Sequence, residues 1–201
     1  MEFNHWRQLQ FASESEKNDP EIVREALKQD GEALQYASNR LKKDKGLVLF
    51  AIEKNWKVLR FISPELKADH KIMLTAVRQH WEALKHAEKH LKASRIIVLE
   101  AVKQQGLALN YATSSIQNDY DIVLEAVKQD GCALHYASNK LRGNYEIVLA
   151  AVTSNWRSLQ YISNEFILDY EIMLKAVNQR GIALEYANQE LKNNYNIVLI
   201  A

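Results

Sequence analysis

The segment from Glu21 to Asp44, EIVREALKQDGEALQYASNRLKKD, lies without a gap over the segment from Asp121 to Asn144, DIVLEAVKQDGCALHYASNKLRGN. The same frame holds at every shift of 25 residues along the 201-residue chain, with no insertion or deletion. So regular a repeat constrains the fold strongly, because each unit buries its apolar face by stacking on its neighbours in one fixed geometry. The expected fold is all-α: a right-handed-type α-solenoid of about eight 25-residue helix-turn-helix units. The units run as a half-unit at 1–19, full units at 20–44, 45–69, 70–94, 95–119, 120–144, 145–169 and 170–194, and a truncated unit at 195–201.

Two columns of the repeat are helix starts. Asp19, Asp44, Asp69, Ser94, Asp119, Asn144, Asp169 and Asn194 are all residue types that cap the free N–H groups of a following helix. Ser13, Ser38, Ser63, Thr113, Ser138, Ser163 and Asn188 form a second such column, broken by Glu88. Between the caps runs an I-V-L-x-A-V pattern, as in Ile122, Val123, Leu124, Ala126 and Val127. Its apolar arc is too wide for a surface helix, so this helix is expected to be enclosed.

A further column reads Trp6, Gly31, Trp56, Trp81, Gly106, Gly131, Trp156, Gly181. Glycine there is expected to be the left-handed residue that ends a helix. Where tryptophan replaces it, the reversal is expected to move back to His5, Asn55, His80 or Asn155, which tolerate positive φ. A shorter helix then brings Leu34 and its equivalents to the core, with an aromatic column expected to be buried: Phe11, Tyr36, Phe61, Tyr111, Tyr136, Tyr161 and Tyr186. Ile72-Met73-Leu74 recurs as Ile172-Met173-Leu174, and Asn55-Trp56 as Asn155-Trp156, so a four-unit block is itself duplicated. Glu16 and Arg24 replace apolar residues and suggest a polar N-terminal edge. The chain stops inside a consensus helix at Ile197–Ile200, from which a longer parent and self-association through that helix are expected.

The strings Glu146-Ile147-Val148-Leu149-x-Ala151-Val152 and Lys128-Gln129-Asp130-Gly131-x-Ala133-Leu134-x-Tyr136-Ala137-Ser138 resemble the repeat of the domain-of-unknown-function 4116 family. The likeness covers nearly the whole chain. It implies a helical repeat found, among other settings, in effector-type proteins of bacteria that live inside host cells, and it implies no activity.

Charge is uneven: residues 1–39 carry −4, residues 40–95 carry +8, and residues 96–201 carry −3. A single cysteine, Cys132, excludes an internal disulfide framework and a multi-cysteine zinc site. No apolar run approaches a membrane span, and the start of the chain shows no secretory signal, so a cytoplasmic or host-translocated location is expected.

No catalytic group, cofactor or metal is expected. His86 and His90 have the i,i+4 spacing of a helical zinc pair, but His86 stands in a column of Tyr and Phe and reads as a packing residue. Cys132 has no base beside it in the sequence.

Two surface ladders remain. Tyr120, Tyr145, Tyr170 and Tyr195 share the first position of the long helix, either as a recognition stripe or as rings stacked between units. Lys42, Lys57, Arg60, Lys67, Lys85, Lys89 and Lys92 make a basic face, either an anion site or ordinary solvated lysines. The expected function is a protein-interaction scaffold with a protein or peptide partner. The alternatives are binding of nucleic acid or acidic lipid through residues 40–95, and a spacer or regulatory arm of a larger protein.

Overall fold

The computed structural model describes residues 5–201. Every regular element among them is an α- or 3-10-helix. The chain forms two compact units, Met1–Lys92 and Ala93–Ala201. Each is a stack of helical repeats, so the fold is all-α and of the solenoid class. No helix among the described residues is long and apolar enough to cross a membrane.

The first unit holds three ten-residue helices: α1 (Pro20–Gln29), α2 (Lys45–Lys54) and α3 (His70–Gln79). The second holds α4 (Arg95–Gln104), α5 (Tyr120–Gln129), α6 (Tyr145–Ser154), α7 (Tyr170–Gln179) and the shorter α8 (Tyr195–Ile200). Each begins where the capping column predicts. Asp19, Asp44, Asp69, Asp119, Asn144, Asp169 and Asn194 lie in extended backbone and accept from N–H groups of the first turn.

A 3-10 segment follows each long helix, for example Gly31–Tyr36, Trp81–His86 and Gly131–Tyr136. Residues i and i+3 eclipse in that helix. Gly31 and Leu34 therefore share a buried row, while Glu32 and Gln35 share a more open one. A third, shorter piece closes the repeat, such as Pro64–Lys67 or Asn139–Arg142, so a repeat contains three helical pieces.

In α2 to α7 the first two residues of the I-V-L triplet are buried, as are the following alanine and aliphatic residue, whereas Ile22 of α1 is half-buried. Leu49, Leu74, Leu124, Leu149 and Leu174 are only half-buried, so the helix is not enclosed all round. Leu124 and Leu149 line a groove between α5 and α6.

The glycine column does not do what its sequence suggests. No described residue has a positive φ. The helix ends instead on the preceding residue in extended backbone, with φ of −156° at Asp30 and −148° at Asp130. Asn55, His80 and Asn155 are extended as well, at −159°, −157° and −155°. Glycine is required by the next helix. A Cβ on Gly31 would lie 2.2 Å from the Ala51 carbonyl oxygen, and one on Gly106 would lie 2.3 Å from that of Ala126. Where Trp56 or Trp156 replaces glycine, the 3-10 segment meets the next long helix less closely. The indole packs onto the following repeat, Trp56 against His80 and Trp156 against Tyr186.

The aromatic column is also not core. Tyr36, Phe61, Tyr136 and Tyr161 are half-buried, and Phe11 is 85% exposed. The column eclipses the buried alanine row three residues earlier, but it stands at the last residue of the 3-10 segment, where the large rings are only partly covered.

Candidate binding surface

Tyr120 and Tyr145 of the tyrosine ladder join repeats by hydrogen bonds to acids. The Tyr120 hydroxyl donates to the Glu146 carboxylate, and the Tyr145 hydroxyl donates to Glu171 Oε2 at 2.8 Å. The same column does the same work with other chemistry elsewhere. Lys45 pairs with Asp69, and Arg95 pairs with Asp119 and with Asp121. A side chain at the first position of one long helix reaches the first turn of the next, where the capping acid and the second residue stand. The bond to Glu171 pushes the Tyr145 phenol up to about 12, and the bond to Glu146 raises Tyr120. Tyr170 faces a repeat with Asn196 in place of an acid and is 41% exposed, and Tyr195 is 76% exposed.

Between α5 and α6 lies a groove of about 690 Å³ lined chiefly by Tyr120, Leu124, Lys128, Tyr145, Leu149 and Ala150. Its size falls in the range of small-ligand and side-chain pockets. Two small residues open it. Ala150 stands where α2 has Phe50, whose ring lies beneath the Arg24 guanidinium at 4.7 Å. Ser154 stands where α5 and α7 have Gln129 and Gln179. The leucines make an apolar floor, Glu146 lies at one end, and Lys128 lies at the other. Ser154 is held in place, accepting from the Gly131 N–H at 3.1 Å and donating to the Lys128 carbonyl at 3.2 Å. On its other side Tyr145 borders a second depression with Phe166, Leu168, Glu165 and Asp169, its ring 6.2 Å from that of Phe166.

The basic residues of the first unit divide into two sets. Arg60 is engaged, bonding Glu32 Oε1 at 2.6 Å. Lys92 Nζ donates to the Lys85 carbonyl at 3.1 Å, at the end of the 3-10 segment. Lys192 does the same to Glu185 at 3.0 Å, so this column serves as a cap for helix-end carbonyls. Burial lowers the Lys42 ammonium. Among the described residues, no carboxylate lies within ion-pair distance of Lys57, Lys67, Lys85 or Lys89. The His86 pKa is lowered by burial first and then by the positive charges of Lys67, Lys85 and Lys92. Rings adjoin them: Trp56 stacks on His80 with centroids 5.0 Å apart and meets His86 at 6.3 Å.

His86 and His90 do not share a helix face, because the 3-10 segment ends at His86. His90 Nε2 lies 3.1 Å from the Ala68 carbonyl oxygen. No cluster of three metal-binding side chains occurs among the described residues. The Cys132 thiol is pushed up by burial and by the Asp130 carboxylate, and Asn155 Nδ2 lies 3.3 Å from its sulfur.

Two ladders escaped the sequence reading. Asp30, Asn55, His80, Asp130 and Asn155 each accept from the N–H two residues on, so the residue that ends the long helix also caps the 3-10 segment. Their capping residue types were a visible signal. Gln129 accepts from the Gly106 N–H at 3.2 Å, and Gln179 accepts from the Trp156 N–H at 2.9 Å. That column carried no signal beyond its recurrence.

The family described as Domain of unknown function (DUF4116) matches residues 3–42, 44–92, 94–142, 121–167 and 169–201. The longer matches span about two repeats each, and two of them overlap, so the family's pattern fits the chain in more than one register. No curated protein and no solved structure matches the chain.

Proposed function

Since this chain belongs to the DUF4116 family, whose description carries no activity, we propose a function from its surface: a scaffold that binds a protein partner through a peptide segment seated between α5 and α6. The observation that carries this reading is the groove opened by Ala150 and Ser154 between Tyr120 and Tyr145. Tyrosines held by Glu146 and Glu171 lose little further freedom on binding, which favours them as contact residues. The occupant that fits is a segment with one bulky apolar side chain for the leucine floor and an acidic residue toward Lys128. In this reading the chain contributes no catalytic group and acts in the cytoplasm or in a host cell reached by translocation.

The test is selection from a displayed random-peptide library on the wild type and on Ala150→Phe. The substitution introduces the residue that α2 carries at this position, Phe50, and circular dichroism establishes that the variant is folded. Enrichment of apolar-plus-acidic peptides that is lost on Ala150→Phe supports the reading. Equal enrichment on both proteins, or none on either, overturns it.

A further inference from the structure

The first unit carries a separate cluster that the groove does not explain. Trp56, His80 and His86 form a run of rings, with Trp56 and His80 inclined by only 13°. Lys92 is fixed on the Lys85 carbonyl, and Lys67, from the preceding repeat, adds its positive field at His86. Lys57 neighbours Trp56 in sequence and is exposed, as is Lys89. Glu82, whose negative charge acts on His86, is 3.9 Å from His80 Nδ1, and its backbone N–H bonds that same ring.

Cations without acid partners beside partly exposed aromatic rings match one ligand chemistry closely: phosphates spaced along a chain that also offers flat, unpaired rings. A duplex keeps its bases stacked internally and gains nothing from the aromatic run. An acidic bilayer would use the lysines, but it calls for protruding apolar side chains, and these rings are half-buried or polar. His86 suits stacking further, since burial and three neighbouring cations keep its imidazole uncharged at neutral pH.

We propose that this face of the first unit binds single-stranded nucleic acid, with Lys67, Lys85 and Lys92 on the phosphates and a base against Trp56 and His86. The interaction is independent of the peptide groove, which lies wholly in the second unit.

The experiment is fluorescence anisotropy of the full chain with a labelled single-stranded oligonucleotide of about 15 nucleotides, titrated between about 50 and 200 mM salt. Engagement of three phosphates predicts a slope of roughly −2 in log affinity against log salt. Lys67→Glu and Lys85→Glu should each weaken binding about ten-fold or more at the lower salt. His86→Ala should cost about ten-fold, whereas His86→Tyr, which restores the ring of the other repeats, should retain binding. Ala150→Phe should leave it unchanged, which separates failure here from failure of the groove. Circular dichroism of each variant establishes that it is folded. Equal affinity for a duplex of the same sequence, indifference to His86→Ala, or binding only to vesicles containing phosphatidylserine overturns the proposal. So does absence of oligonucleotide binding.

Discussion

Gly131 lies so close beneath Ala151 that a Cβ on the glycine would sit 2.1 Å from the alanine's carbonyl oxygen. That contact sets how closely the 3-10 segment of one repeat approaches the long helix of the next. The obstacle is backbone and cannot rotate away. Gly131→Ala should therefore destabilise the protein by about 1–3 kcal/mol through overpacking. Gly143→Ala is the control, since its Cβ would meet nothing nearer than 3.6 Å. Urea denaturation of the two variants reads the difference; equal midpoints would show that the close approach matters little.

Tyr145 links stability to alkaline pH. Its folded pKa is about 12 against an ordinary 10, because the neutral phenol donates to Glu171. A raised pKa contributes stability that is fully present below pH 10 and is lost as pH rises through 12. Denaturation midpoints of the wild type should fall across that window. Tyr145→Phe should show a shallower fall, and an identical slope in the variant would refute the linkage.

Ser158 is buried with no exposure, and its hydroxyl has no hydrogen-bond partner. Its column holds Ala33, Ala83, Ala108, Ala133 and Ala183 in other repeats. An unsatisfied buried hydroxyl costs about 1–3 kcal/mol. Ser158→Ala should accordingly raise stability by about 1 kcal/mol or more, read as an upward shift of the thermal midpoint. A downward shift would mean that the hydroxyl is bonded in solution.

Asp69 both caps α3 and joins α2 to it. It accepts from the Lys71 and Ile72 N–H groups at 3.0 and 3.1 Å and pairs with Lys45. Burial alone would raise its pKa, but the Lys45 ammonium and the two N–H groups together hold it below the usual value of 3.8. Its contribution is therefore complete above pH 3.8 and is lost as pH falls through the depressed value. Asp69→Ala should cost about 0.5–2 kcal/mol at neutral pH, and the difference from wild type should shrink in acid. A constant difference down to low pH would exclude the charged interaction.

Much of this architecture was legible in the residues. Asp19, Asp69 and Asp119 begin helices as their chemistry requires, and Pro64 sits at the first helical position, where its missing N–H costs nothing. Position-by-position reading failed at contacts that cross from one repeat to the next. Gly131 resembles a helix terminator until Ala151 is beside it. Tyr120 and Tyr145 resemble a stacking ladder until Glu146 and Glu171 are in reach. The groove is invisible in any single column, because Ala150 and Ser154 are small only by comparison with Phe50, Gln129 and Gln179.

The sequence by itself determined the period, the capped starts and the buried rows, since helix capping and apolar periodicity act within a few residues of one another. Only the tertiary structure decided what the glycine, tyrosine and glutamine columns do. Their partners lie some 20 to 30 residues away along the chain. Which partner is met depends on how closely one repeat settles on the next, and that spacing follows from backbone contact and the bulk at one position, glycine or tryptophan.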